Sequence, residues 1–208
     1  DSVVVMLRRP QQQLAELRQW LQGYGVDHGA LSAVYGDLEQ PGAGISAADW
    51  NSMQAVTVIY HAAALFGWNL SMAQARQINV SGVLELMTLA ARHLKIGRWV
   101  QVSGYMMTIK AHLQQLGVSR DGAADWPKLY QQVGVYEASK IEAHYAIKAQ
   151  AAALQMPLTV VHPATLAGHG ASGALAAGQE MARTLDDLAA GRLPVVPGGE
   201  GFRLPLVS

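Results

Sequence analysis

The chain has 208 residues, with 15 Lys+Arg against 15 Asp+Glu and a formal net charge of zero at neutral pH. It therefore carries no field that would steer polyanions or acidic membranes, and a nucleic-acid partner is not expected. Half of its residues are apolar and only 14% are charged, against about 25% in ordinary globular chains, which supplies a sizeable core and excludes disorder as the main state. The absence of cysteine removes disulfides, thiolate zinc sites, iron–sulfur clusters and cysteine nucleophiles together, and is compatible with a reducing, cytoplasmic setting.

In chain order, the opening Asp1-Ser2-Val3-Val4-Val5 has neither a starting Met nor a basic n-region, so no signal peptide is visible and the chain reads as a piece of something longer. Val3–Leu7 is a β-branched run closed by Arg8-Arg9-Pro10, after which Leu14, Leu17, Trp20 and Leu21 recur at helical spacing; this reads as strand, then helix. Ala30–Tyr35 is a second apolar run ending in Gly36-Asp37. Ser46-Ala-Ala-Asp49 has the spacing of a capping box ahead of a short helix. Trp50 to Ala75 contains no charged residue, a length that raises a membrane span. The span is rejected because Asn51, Gln54, His61, Asn69 and Gln74 are spread through it and Gly67 breaks it. Val56–Tyr60 reads instead as a third buried strand.

Ala73–Leu94 carries a helical stripe of Ile78, Val83, Leu86, Met87, Leu89, Ala90 and Leu94. Trp99–Ser103 is the fourth strand, a long Ala-rich helix surrounds Tyr136–Leu154, and Leu158–Val161 is the fifth strand, stopped by His162-Pro163. A last helix falls near Leu175–Ala190. Wholly apolar strands alternating with amphipathic helices are what a parallel sheet covered on both faces requires, so the fold class is doubly wound α/β, with all five strands side by side in one sheet. The composition changes only after Pro163, which divides the chain into 1–163 and a smaller lobe, 164–208.

Tyr136-Glu137-Ala138-Ser139-Lys140 is the constellation with the most chemistry. Four residues are about one helical turn, so the Tyr136 hydroxyl and the Lys140 ammonium share a face. A free phenol titrates near ~10; a cation one turn away is expected to lower that value and make Tyr136 a general acid/base for a carbonyl or alcohol oxygen. The plain alternative is a solvated Tyr/Lys pair.

Seven stretches in order give that pair a context: Val4-Val5-Met6-Leu7-Arg8, Gly36-Asp37-Leu38, His61-Ala62-Ala63, Ile78-Asn79-Val80-Ser81-Gly82, Val100–Ser103, Tyr136–Lys140 and His162-Pro163. Together they resemble the extended short-chain dehydrogenases/reductases, nicotinamide-dependent enzymes of Rossmann-like fold. The run from Gly36 to Ser46 is similar to the thioester-reductase and fatty-acyl-reductase branch; nucleotide-sugar epimerases and dehydratases share the other stretches.

The resemblance implies that Asp37 accepts from an adenine amino group, that Leu38 packs on its ring, and that the small Ala62 and Ala63 let the dinucleotide lie close. It also implies that His162 and Pro163 flank the nicotinamide, that Asn79 ties its helix to the active site, and that Lys140 holds a ribose. Arg8 ends the strand where an acidic group would bind a ribose 2′-hydroxyl and an Arg accommodates a 2′-phosphate, which favours NADP(H) over NAD(H). The expected substrate is a small molecule or a carrier-bound acyl group. Residues 1–163 would be an N-terminally incomplete NADP-binding domain and 164–208 the start of a substrate lobe.

The sequence departs from this family's pattern in three places. No first strand and Gly-rich phosphate loop precede Val3. Gly104 stands where the family's catalytic Ser/Thr follows Ser103, leaving Ser103 or Thr108 to supply the hydroxyl. The chain also holds little of a substrate lobe. Gly168-His169-Gly170-Ala171-Ser172-Gly173 spells a dinucleotide fingerprint, but His162–Ala167 separate it from the strand, so it is not read as the phosphate loop. The seven histidines show no ligand spacing, so no metal is expected, and Gly-x-Ser-x-Gly is absent. A non-catalytic dinucleotide-binding or scaffold protein is the rival from another functional class.

Overall fold

The computed structural model describes residues 2–67, 69–166, 168, 180–193 and 206–207. They fall into two compact units, Asp1–Val161 and His162–Ser208.

In the first unit, β1 (Val3–Leu7) leads through α1 (Pro10–Gly23) to β2 (Leu31–Tyr35), and the two strands pair in parallel, from Val3 opposite Leu31 to Leu7 opposite Tyr35. β3 (Val58–His61), β4 (Arg98–Val102) and β5 (Leu158–Val161) form a second parallel sheet in the order β3-β4-β5. Within each sheet the strands pair in parallel as expected, but the single five-stranded sheet is corrected: no hydrogen-bonded ladder joins β1 or β2 to the β3-β4-β5 sheet among the described residues. The doubly wound order 3-2-1-4-5-6 gives the reason. Its second and fourth strands are separated by its first, and β1 here corresponds to the second.

The connecting helices follow local sequence. Ser46 caps α2 (Ala47–Ser52): the Asp49 backbone N–H donates to Ser46 Oγ (3.1 Å) and the Ser46 hydroxyl donates back to the Asp49 carboxylate (2.7 Å). Ser71 caps α3 (Met72–Arg76) by accepting from the Gln74 N–H. The stripe expected as one helix over Ala73–Leu94 is α3, then a widened π turn over Gln77–Gly82, then α4 (Val83–His93). A Cβ at Gly82 would lie 2.6 Å from the Leu38 carbonyl oxygen, so only glycine lets the loop after β2 approach this helix.

Beyond β4 come a 3-10 turn at Tyr105–Thr108, α5 (Lys110–Gln115) and α6 (Trp126–Val133). Gly134, at φ +87°, separates α6 from α7 (Val135–Ala153). One apolar cluster is built from α4 (Val83, Leu86, Met87, Ala90), Trp99 of β4, and α7 (Ala143, Ile147, Ala151), with Val4, Met6 and Ile59 packed against it. Each fully buried large side chain in it, such as Met87 or Ile147, contributes about 1.5–3 kcal/mol. A second cluster joins Met107, Leu113, Leu129, Tyr130 and the first turns of α7.

In the second unit, β6 (Thr165–Leu166) pairs in parallel with β7 (Leu206–Val207), and α8 (Glu180–Ala189) covers the described part of the expected last helix. Apart from Gly168, the Gly168–Gly173 run lies outside the described residues. Among the described residues, no helix is long and apolar enough to cross a membrane.

Candidate active site

The C-terminal ends of parallel strands are where ligands bind in open α/β sheets, and here they frame a cleft of about 310 Å³ lined by Leu7, Arg8, Asp37, Leu38, Ala63 and Leu65, among others. Gly36 forms part of its wall because the backbone there crowds Met6: an added Cβ would sit 2.3 Å from Met6 Cγ. The half-exposed Arg8 guanidinium lies 3.1 Å from Asp37 and 3.4 Å from Glu39. Asp37 also accepts from the Glu39 backbone N–H at 3.0 Å, which fixes the carboxylate at the cleft. Leu38 is buried and offers an apolar wall.

In chemical type these residues fit the adenosine end of a dinucleotide: a carboxylate for an amino group, an apolar wall, and a half-exposed guanidinium that here pairs with Asp37 and Glu39. A cleft of this size takes a ligand of roughly that bulk. The turn from β1 to α1 is Arg8-Arg9, without glycine, so it offers no Gly-rich cradle for a pyrophosphate.

The first two turns of α7 carry Tyr136, Ser139 and Lys140. A small cavity is lined by His61, Asn79, Gln101, Ser103, Lys140 and His144, among others. Asn79 is fully engaged as a connector. The Leu65 N–H donates to Asn79 Oδ1 at 2.6 Å, and Asn79 Nδ2 donates to the Leu65 carbonyl at 3.1 Å and to Ser139 Oγ at 2.9 Å. Ser139 Oγ in turn donates to the Tyr136 carbonyl at 2.7 Å. The π turn sets Asn79 into this bridge from the cleft loop to the Tyr136 turn, as such widened turns often do at functional sites.

The Tyr136 ring meets Phe66 edge-on, with centroids 4.8 Å apart. Burial pushes the Tyr136 phenol above its usual value, so the lowering expected from Lys140 is corrected: at this site loss of solvent dominates. Burial also holds the Lys140 ammonium below its usual value, and its amine donates to the Val102 carbonyl at 3.4 Å. Ser103 is buried and lines the cavity with Lys140. Thr108, the other candidate hydroxyl, is exposed and donates to the Tyr105 carbonyl within its own turn.

Of the residues named from sequence, Arg8, Asp37, Leu38 and Ala63 meet at the cleft, and Asn79, Ser103 and Lys140 meet at the cavity, with Ala63 common to both. Ala62 directly precedes Ala63 in the exposed start of the loop after β3. His162 and Pro163 open the second unit, directly after β5.

Two groups of residues escaped the sequence reading. Ser139 sits inside the Tyr136–Lys140 turn, and its spacing three residues after Tyr136 was the available signal. The buried Glu142 accepts from Arg76 Nη2 at 2.6 Å, Arg76 Nε at 3.0 Å and the Tyr130 hydroxyl at 2.7 Å, pinning α3 and α6 to α7. Burial and this carboxylate push the Tyr130 phenol far up.

Parallel strands alternating with helices, with a cleft at the strand ends, give the chain a Rossmann-like α/β fold. The chain belongs to the NAD-binding family described as male sterility protein, whose model matches residues 2–207. No curated protein sequence matches it.

Among solved structures it is similar to the reductase domain of PhqB from Penicillium fellutanum, at 20% identity and TM-score 0.64 over 91% of this chain and 48% of that one. It is also similar to the terminal R domain of the myxalamid PKS-NRPS biosynthetic pathway, at 24% identity and TM-score 0.66 over 88% and 47%. A third is a thiolation-reductase di-domain from an archaeal non-ribosomal peptide synthetase, at 17% identity and TM-score 0.63 over 91% and 52%. The chain thus spans about half the length of these structures.

Proposed function

We propose that the chain is part of an NADP(H)-dependent reductase that acts on a carbonyl or on an acyl thioester delivered by a carrier, with Tyr136 as the proton donor. The observation that carries this reading is the Tyr136–Lys140 turn, tied through Ser139 and Asn79 to the loop that walls the cleft. In it, residues 1–163 hold the cofactor and 164–208 begin a substrate lobe, with His162 and Pro163 beside the nicotinamide. Its setting would be cytoplasmic.

The dinucleotide, when bound, supplies the hydride. Arg8 would hold the 2′-phosphate, Asp37 and Leu38 the adenine, and Lys140 the ribose next to the nicotinamide. Because burial keeps the Tyr136 phenol protonated at neutral pH, Tyr136 is suited to give its proton to a substrate oxygen as negative charge develops there. The Lys140 cation lies one helical turn away and would stabilise the phenolate that remains. The Ser103 hydroxyl would serve as the second donor to the same oxygen. The three reductase domains similar in fold, two of them from assembly-line synthases, support a carrier-bound acyl group as the substrate.

Gly104, in place of a Ser/Thr, favours a second reading, a dinucleotide-binding protein without turnover. The two are separated by incubating the full-length protein that contains this chain with NADPH and a panel of aldehydes and acyl thioesters. Consumption of NADPH with at least one substrate is expected; NADPH that binds and is never consumed would leave the non-catalytic reading.

A further inference from the structure

His61 closes β3 at the head of His61-Ala62-Ala63, and nothing above gives it a task. Its imidazole is buried and stacks on Trp99 with centroids 5.7 Å apart and planes 22° apart. Neither ring nitrogen has a hydrogen-bond partner. Native folds rarely leave buried polar atoms unsatisfied, and an ordered water is a common reason when one looks orphaned. The ring borders the cavity behind Lys140, whose volume of about 10 Å³ corresponds to a single water.

Two of the other polar groups on that wall, Gln101 and Asn79, are committed elsewhere. The Gln101 amide accepts from Trp99 Nε1 at 3.1 Å and donates to the Val102 carbonyl at 3.1 Å. Asn79 is spent on Leu65 and Ser139. Lys140, by contrast, has three donors and makes one long bond, 3.4 Å, to Val102.

We propose that this cavity is a single-water site in which the water accepts from the Lys140 ammonium and donates to a ring nitrogen of His61, making His61 a positioning residue for Lys140. The role rests on the reading of Tyr136 and Lys140 as the proton-handling pair. A neutral ring is required, because only neutral imidazole offers an acceptor. Burial, first, and the neighbouring Lys140 charge hold His61 down at about 4. The titratable groups facing it are Lys140 and His144 from α7; Gln101 and Ser103 from β4 and its end, and Asn79 from the π turn, are neutral.

The test uses the whole 208-residue chain. A crystal structure at high resolution should show one water within hydrogen-bonding distance of both His61 and Lys140 Nζ. In parallel, the Lys140 amine is titrated by nitrogen-15 NMR, its signal identified by its loss in Lys140→Met. His61→Leu removes the water's acceptor and should lower the Lys140 titration by about one pH unit, the size expected for one hydrogen bond to a charged group. His61→Gln keeps an acceptor of similar reach and should restore it. The alkaline limb of turnover should move with Lys140, whereas simple structural damage would lower the rate at every pH without moving the limb.

A dry cavity in the wild type, or a Lys140 titration unchanged in folded His61→Leu, would overturn the proposal. Should His61→Leu fail to fold, the wild-type water and the His61→Gln titration still decide it. A wild type without turnover counts against the reductase reading alone, because the crystal and the titration need no substrate.

Discussion

The depressed His61 titration makes acid stability a direct measure of how far the imidazole behind β3 is removed from bulk solvent. In the unfolded chain the imidazole titrates near 6.5; in the fold, burial and the Lys140 charge bring it to about 4. Below pH 6.5 the unfolded state therefore binds more protons than the native one, and stability falls as the pH falls. The contribution is fully present above pH 6.5, about 2 kcal/mol of it is gone by pH 5, and the loss reaches about 3 kcal/mol below pH 4. His61→Leu lacks this group, so its stability should fall less steeply over the same range while other titrations cancel in the comparison. The assay is urea unfolding of both forms at pH 7.5, 6 and 5, followed by tryptophan fluorescence and circular dichroism. Wild type should lose about 2 kcal/mol more than the variant between pH 7.5 and 5. Parallel pH curves would mean that the ring is open to bulk solvent, and the reasoning would fail.

Other substitutions test other parts of the structure. Glu142→Gln keeps the shape but removes the charge that accepts from Arg76 and Tyr130; because Arg76 is half-exposed, the cost in urea unfolding should be about 1–3 kcal/mol, and a change within error would show that the pair is solvent-screened. Gly104→Ser should fold normally, since Gly104 has extended backbone angles and its Cβ would come no closer than 3.7 Å to Met106. Turnover should rise or hold, and a fall would contradict the need for a second hydroxyl. Arg8→Asp should reverse a preference for NADPH over NADH in binding titrations; equal affinity of the wild type for both would remove Arg8 from cofactor choice.

Much of the frame was legible because it depends on local pattern. The run Val3-Val4-Val5-Met6-Leu7 and the Val83/Leu86/Met87/Ala90 stripe formed the strand and helix that their periods required. What was not legible depends on partners distant in sequence. The π turn arises where Asn79 must face Leu65 and Ser139, and no propensity marks it. The two-sheet arrangement, by contrast, follows from β1 standing at the second place of the doubly wound order, two places from β3. Tyr136 is the instructive case: spacing placed a cation one turn away, but only burial, invisible along the chain, decides that the phenol moves up and not down.

The most direct test is to compare wild type with Tyr136→Phe for NADPH binding by calorimetry and for NADPH consumption with one accepted carbonyl or thioester substrate. The substitution removes a hydroxyl and leaves the ring that meets Phe66 edge-on. Binding should be nearly unchanged while turnover falls by roughly 10²–10⁴-fold, the range for loss of a general acid. Turnover equal to wild type in Tyr136→Phe would contradict Tyr136 as the proton donor.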